Sequence, residues 1–188
     1  VVSDLLDEGF YFCGVDVGES YGSPAGRAVF SKFHRLLVDR FGLSPKACLF
    51  PVSRGGLMHY NWGVEHPECV ACIGGIYPVC SLASYPGIEK AAAEYGLTLE
   101  ELKADLANHN PLDRLSPLAA AGVPLFHLQG DSDTVVPLEA NSGELARRYK
   151  ALGGKMELVV VPGKGHEIVP EFWEDPRLAE FFRRHANR

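Results

Sequence analysis

Short apolar runs alternate along this chain with stretches whose apolar residues recur every three or four positions. That alternation predicts a parallel sheet covered by helices. The first strand-like run is 10–16, entered from Gly9 and left through a turn-rich stretch from Gly18 to Pro24. A helix follows over about 26–41, where Val29, Phe33, Leu36, Leu37 and Phe41 keep a helical spacing and Gly42 supplies a stop. Residues 47–52 form a continuous apolar run, as expected of a strand buried on both faces. The turn Ser53-Arg54-Gly55-Gly56 opens another helix that ends near His66-Pro67. Further strands are expected at 69–74, 124–129 and 156–161, and helices at 138–152 and 175–185; residues 1–8 read as the end of a helix.

Between the third and fourth of these strands lies a longer segment from Tyr77 to Gly122. Helical spacing recurs within it at 88–95 and 98–107, and a short helix is expected after Pro111. An excursion of this kind inside a sheet fold is commonly a pocket wall or lid. The expectation is therefore one domain over 1–188 with a lid-like helical insertion at about 81–110. No repeat or linker divides the chain.

Composition narrows the class. Hydrophobic residues make up 46% and charged residues 22%, ordinary for a globular domain able to bury a core. A net charge of −6 argues against nucleic acid as a partner, which needs clustered Lys and Arg. No apolar run is long enough to span a bilayer. The five cysteines form an odd count that suits a reducing compartment. The compartment stays unknown, with that count leaning toward the cytoplasm, and the N-terminus reads as incomplete. Cys69 and Cys72 have the C-x-x-C spacing of metal or redox sites, but no second pair follows, so core packing is the better reading and no metal is expected.

Three turns carry candidate chemistry, and each follows a strand. At the carboxyl ends of parallel strands such turns converge in space. In Pro51-Val-Ser53-Arg54-Gly55-Gly56 a serine sits on a sharp strand-to-helix turn, where the Arg54 backbone amide can face a developing oxyanion. The usual G-x-S-x-G pattern is broken by Pro51, and a helix N-cap is the competing reading of Ser53. Gly130-Asp131-Ser132-Asp133-Thr134 offers two carboxylates able to fix a histidine tautomer, with Asp133 favoured by its place before Thr-Val-Val-Pro. Pro162-Gly-Lys-Gly-His166 places a histidine in a glycine-flanked loop that lacks phosphate-loop spacing. Ser, Asp and His, in that order after successive strands, follow the chain order of α/β-hydrolases. The fold class is therefore α/β: an α/β-hydrolase fold with a mostly parallel sheet and helices on both faces.

The segments Val52-Ser-Arg-Gly-Gly-Leu57, Tyr60-Asn-Trp62, Tyr77-Pro-Val-Cys80, Asn110-Pro-Leu-Asp113 and Gly130-Asp-Ser-Asp133 resemble bacterial α/β-hydrolases of the esterase and prolyl-oligopeptidase-like group. The resemblance covers nearly the whole chain. It implies Ser53, Asp133 and His166 as nucleophile, acid and base, with the Arg54 amide as one oxyanion donor and no cofactor. It also implies that the fold's first three strands have no counterpart here, so that a missing N-terminal segment or a second chain would complete the sheet. Glucuronoyl esterases likewise place Arg after the nucleophile, which hints at carbohydrate-linked esters, although they continue with Lys where this chain has Leu57. Tyr21, Tyr77 and Tyr85 are candidates to line the substrate site, and Glu19 shares the Tyr21 loop; His59 and Trp62 read as packed helix residues. The expected activity is cleavage of a small carboxylic ester through an acyl-enzyme. The alternatives are a serine peptidase or acyltransferase with the same three residues, and a non-catalytic binding module or inactive fragment.

Overall fold

The structure, a computed structural model, describes residues 1–186. Its helices are α1 (Val2–Asp7), α2 (Pro24–Phe41), α3 (Gly55–Glu65), α4 (Ile88–Tyr95), α5 (Leu99–Ala104), α6 (Ser116–Ala120), α7 (Ser142–Ala151), α8 (Pro170–Trp173) and α9 (Pro176–His185). Its strands are β1 (Ala47–Leu49), β2 (Val70–Ile76), β3 (Leu125–Gly130) and β4 (Met156–Val161). All three strand pairings are parallel and the spatial order β1-β2-β3-β4 follows the chain. Parallel neighbours require a crossover, and here helices supply each one.

Two apolar layers enclose the sheet. On one face Leu49, Val70, Ile73 and Leu125 meet Tyr60 and Trp62 of α3 and Leu145 and Tyr149 of α7. On the other, Cys72, Ile76, Phe126 and Leu128 meet Leu5 of α1 and Leu178, Phe181 and Phe182 of α9. Helix α3 is buried almost all round because a third cluster, built from Leu57, Leu82, Leu102 and Val136, covers its outer side. The 81–110 segment supplies much of that cluster. Thr98 and Glu101 close a capping box at the start of α5.

Buried amides explain two of the sequence segments quoted above. Asn61 donates from Nδ2 to the His109 carbonyl at 2.9 Å and accepts from Arg114 at 3.0 Å. Asn110 accepts from the Leu82 amide at 3.0 Å and donates to Asp113 at 2.7 Å. Asn61 ties the long segment to α3, and Asn110 ties two parts of that segment to each other.

Three expectations change. Residues 10–16 form no strand. They run beside β1 without ladder pairing, Tyr11 and Phe12 are 76% and 62% exposed, and Phe12 meets Phe50 only edge to face at 6.0 Å. An apolar alternation makes a strand only where a neighbour accepts its hydrogen bonds. Below this stretch lies a cavity of about 60 Å³ lined by Leu5, Phe10, Phe12, Cys48, Phe50 and Phe182. The second change is at 47–52: β1 ends at Leu49, because Pro51 has no amide to donate, and pairing continues only as an isolated bridge from Val52 to Ile76. The third is at 138–152, where the helix is interrupted at Asn141. Its side chain accepts from the Cys80 amide at 2.9 Å and donates to Ser84 and the Pro137 carbonyl, so a short 3₁₀ turn precedes α7.

One polar group lies deep within this apolar frame. His127 on β3 is fully buried between the Tyr60 hydroxyl and Ser142, and burial pulls its pKa down to about 3. The unfolded chain takes up that proton near pH 6.5, so between about pH 3 and 6.5 the unfolded state binds more protons and stability rises with pH. Burial shifts His59 in the same direction. We expect urea unfolding at pH 5 to give a free energy about 2 kcal/mol below that at pH 7 from His127 alone. A stability independent of pH over this range would show that His127 is protonated or exposed in the folded chain.

Candidate active site

At the end of β1 the backbone turns sharply through Ser53, whose φ of +49° lies in the left-handed region rarely adopted by residues with a side chain. Hydrogen bonds on both sides hold the turn. The Ser53 amide donates to the Ile76 carbonyl at 3.2 Å, and the Ser53 carbonyl accepts from Val79 at 2.8 Å and from Gly56 at 3.0 Å. Arg54 is the residue before the start of α3, and the Ser53 hydroxyl bonds His166, so Ser53 does not cap the helix. The amide of Arg54 has no hydrogen-bond partner among the described residues. The Arg54 side chain pairs with Glu19.

The motif departure at Pro51 has a steric reason. A Cβ on Gly75 of the neighbouring strand would lie 2.9 Å from the Pro51 carbonyl oxygen and 3.0 Å from its ring. The space that a glycine would leave at position 51 is therefore provided by Gly75, across the sheet. The tightest point of the turn is also displaced. A Cβ on Gly56 would stand 2.2 Å from the Val79 carbonyl oxygen, whereas one on Gly55 would meet only the His59 ring, at 3.7 Å.

Asp133 follows β3 and is 5% exposed. Its Oδ1 accepts from the amides of Val135 at 2.9 Å and Val136 at 2.8 Å, and its Oδ2 accepts from Gln129 Nε2 at 3.2 Å. Oδ2 also lies 2.8 Å from Nδ1 of His166. Since the carboxylate oxygens act as acceptors throughout, His166 carries its proton on Nδ1. Its Nε2 then presents a lone pair to the Ser53 hydroxyl, 2.8 Å away. Asp131, the other carboxylate considered in this turn, accepts from the Gly163 amide at 2.7 Å and so shapes the histidine loop.

That loop crosses the end of β3 at very short range. Ser132 donates to the Lys164 carbonyl at 3.0 Å, and a Cβ on Gly130 would lie 2.0 Å from the same oxygen. Tyr77 packs against the His166 ring with centroids 4.3 Å apart and the planes inclined by 49°, and its hydroxyl donates to the Glu167 carbonyl at 3.3 Å. Tyr77 is 3% exposed, so it supports the imidazole more than it lines an opening. Burial raises its pKa, which keeps the phenol a donor.

The other residues named from the sequence fall nearby. Tyr21 and Tyr85 meet edge to face at 6.4 Å and pack on the cluster that covers α3. Burial first, and then the hydrogen bond to Glu19, raise the pKa of Tyr21. Glu19, Tyr21, Arg54 and Tyr85 thus form one patch beside the Ser53 turn. His59 bonds the Gly55 carbonyl of its own helix at 2.7 Å. Gly56 and Gly130 lie within the serine and aspartate turns read from the sequence, whereas Gly75 and Gln129 stand outside the candidate motifs. The signal for Gln129 was two polar residues, His127 and Gln129, at alternate positions of an otherwise apolar strand. Among the described residues no cluster of His, Cys, Asp and Glu could hold a metal ion, and no helix is long and apolar enough to cross a membrane.

The family model described as prolyl oligopeptidase family matches residues 32–187. No curated protein matches the chain. Among solved structures, a Bacteroides ovatus protein described as a dipeptidyl aminopeptidase IV superposes with a TM-score of 0.71 at 14% identity, over 86% of this chain and 22% of its own. A puromycin-hydrolyzing peptidase of Mycobacterium tuberculosis gives 0.64 at 17%, over 80% of this chain and 24% of its own. The esterase PE8 gives 0.56 at 23%, over 86% of this chain and 60% of its own. These likenesses agree on the α/β-hydrolase fold, and the chain spans about a fifth of the first structure's length.

The steric readings predict opposite outcomes at adjacent glycines. Gly56→Ala should cost about 1–3 kcal/mol, because the obstructing atom is a backbone oxygen. Gly55→Ala, at the first residue of α3 with room for a methyl group, should be neutral or stabilising by up to about 1 kcal/mol. Thermal unfolding of the two variants checks both, and the reverse ranking would mean that the turn is built differently.

Proposed function

The chain belongs to the prolyl oligopeptidase family, and on that premise we propose that it is a serine hydrolase that cleaves a carboxylic ester through an acyl-enzyme at Ser53. The observation that carries the proposal is the continuous line from Ser53 Oγ to His166 Nε2, and from His166 Nδ1 to Asp133 Oδ2, with 2.8 Å at each step. In this reading the Ser53 oxygen attacks the carbonyl carbon while His166 Nε2 takes the hydroxyl proton. Asp133 holds the ring in the tautomer that can accept it and stabilises the imidazolium. The Arg54 amide, unpartnered and near the positive end of α3, faces the oxyanion. As the bond to the leaving group breaks, His166 passes the proton to the departing oxygen. Water then attacks the acyl carbon with His166 again as base, releasing the acid and free Ser53.

Peptide bond cleavage is the second reading, favoured by the family match and by peptidases among the structural neighbours. Both reactions use the same three residues, so the site alone does not rank them. Carbohydrate-linked esters enter the proposal through Arg54, whose guanidinium stands beside Glu19 at the edge of the turn.

Fluorophosphonate labelling followed by peptide mapping tests the core of the proposal. We expect modification at Ser53, abolished in Ser53→Ala and in His166→Ala, and slowed by roughly four orders of magnitude in Asp133→Asn, which favours the wrong tautomer. Acyl esters, sugar-linked esters and aminoacyl anilides would then rank the substrate classes. A folded chain that leaves Ser53 unmodified would overturn the hydrolase reading in favour of a binding module.

A further inference from the structure

Behind Asp133 the polar contacts continue into the core. The Tyr60 hydroxyl lies 2.6 Å from His127 Nε2, His127 Nδ1 lies 2.9 Å from Ser142 Oγ, and Ser142 Oγ lies 3.0 Å from Gln129 Oε1. Gln129 Nε2 then reaches Asp133 Oδ2 at 3.2 Å. Tyr60, His127, Gln129 and Ser142 are all fully buried. They come from α3, β3 and the start of α7. Being two apart on β3, His127 and Gln129 project to the same face of the sheet.

Donor and acceptor can be assigned at every link. Gln129 Nε2 faces Asp133 Oδ2 and, at 3.0 Å, the Val136 carbonyl. Both are acceptors, so this end of the amide must be the NH₂ group and Oε1 must face Ser142. The single hydroxyl proton of Ser142 goes to that Oε1. Its oxygen therefore accepts from His127 Nδ1, which carries the ring proton. Burial keeps this imidazole neutral, so Nε2 holds a lone pair and accepts from the Tyr60 hydroxyl, itself kept protonated by burial. Turning any one group round would set acceptor against acceptor or leave a buried polar atom without a partner, each costly in the interior. Every donor along the line consequently points toward Asp133.

We propose that Gln129 is a positioning residue for Asp133, held in orientation by the one-directional hydrogen-bond chain from Tyr60 through His127 and Ser142. The inference rests on the reading of Asp133 as the partner of His166. The turn amides of Val135 and Val136 fix Oδ1, and Gln129 fixes Oδ2 from the core side, so the oxygen that meets His166 has no free rotation. A chain of aligned donors also polarises each link, which strengthens the last one.

The test has a spectroscopic arm and a reactivity arm. Long-range ¹H–¹⁵N correlation of the intact chain should show His127 as the neutral Nδ1–H tautomer; the Nε2–H form would overturn the chain's direction and the proposal with it. Gln129→Met keeps the side-chain length and removes the amide. We expect it to shift or broaden the His166 Nδ1–H resonance and to slow fluorophosphonate labelling of Ser53 by about ten-fold, the scale of a lost hydrogen bond to a charged group. Ser142→Ala should act in the same sense, by about two- to three-fold, since Gln129 keeps its bond to Val136. Labelling at the wild-type rate with an unchanged His166 resonance would show the network to be structural filling only. Should Gln129→Met fail to fold, Ser142→Ala and the wild-type tautomer decide the matter. If the wild-type chain is not labelled at Ser53, the proposed function fails, and the His127 tautomer and the His166 resonance in Gln129→Met still judge the positioning role by themselves.

Discussion

At Gly56, Gly75 and Gly130 two backbones pass closer than a Cβ atom permits, and the distances among Ser53, Asp133 and His166 follow from those passages. Backbone segments in such contact are located to a fraction of the tolerance that side-chain packing allows, because neither can rotate away. Gly56 presses the start of α3 against the strand-exit loop at Val79, which orients the Ser53 turn. Gly75 admits the Pro51 ring beside β2. Gly130 lets the loop after β4 lie across the end of β3, carrying His166 over Asp133. A side chain at any of the three would move one member of the site relative to the others.

Strain and buried polarity gather at the same end of the sheet. The three residues other than glycine with positive φ among the described residues, Tyr21, Ser53 and Tyr77, all lie on loops around the site. Such conformations cost about 1–3 kcal/mol each and persist only where the surroundings hold them. Here Ser53 and Tyr77 are held by ladder-like bonds to Ile76 and Leu128, and the Tyr95 hydroxyl donates to the Tyr21 carbonyl at 3.0 Å. The core bears a further cost in the line from Tyr60 to Gln129, which is tolerated because each atom of it is paired. Away from the strand ends the structure is conventional, with apolar faces meeting across two layers.

Most of this architecture was legible in the sequence. The bounds of β4 coincide with the apolar run 156–161, and the chain order of Ser53, Asp133 and His166 indicated a common strand-end surface. What escaped was non-local. Residues 10–16 have the composition of a strand, but pairing depends on a neighbour that a one-dimensional pattern does not reveal. Pro51 weakened the serine motif because the compensating glycine stands on another strand, 24 positions later in the chain. The helix expected over 138–152 was interrupted by Asn141, whose partners lie about 60 residues earlier. Gln129 closed an apolar run and was absorbed into it, although its polarity at a buried position was the sign of a specific partner.

The long sequence separations at the site bear on time as well as on geometry. Ser53 and His166 stand 113 positions apart, with three crossovers between them. Closing so long a loop carries an entropic cost that only prior docking of β2, β3 and β4 offsets, so the serine–histidine contact belongs among the last to form. During synthesis the serine turn emerges well before the histidine loop, and a chain released short of β4 would hold a folded-looking helix layer beside an unanswered hydroxyl. The contact between Ser53 and His166 therefore depends on the docking of all four strands, not on the presence of any one element.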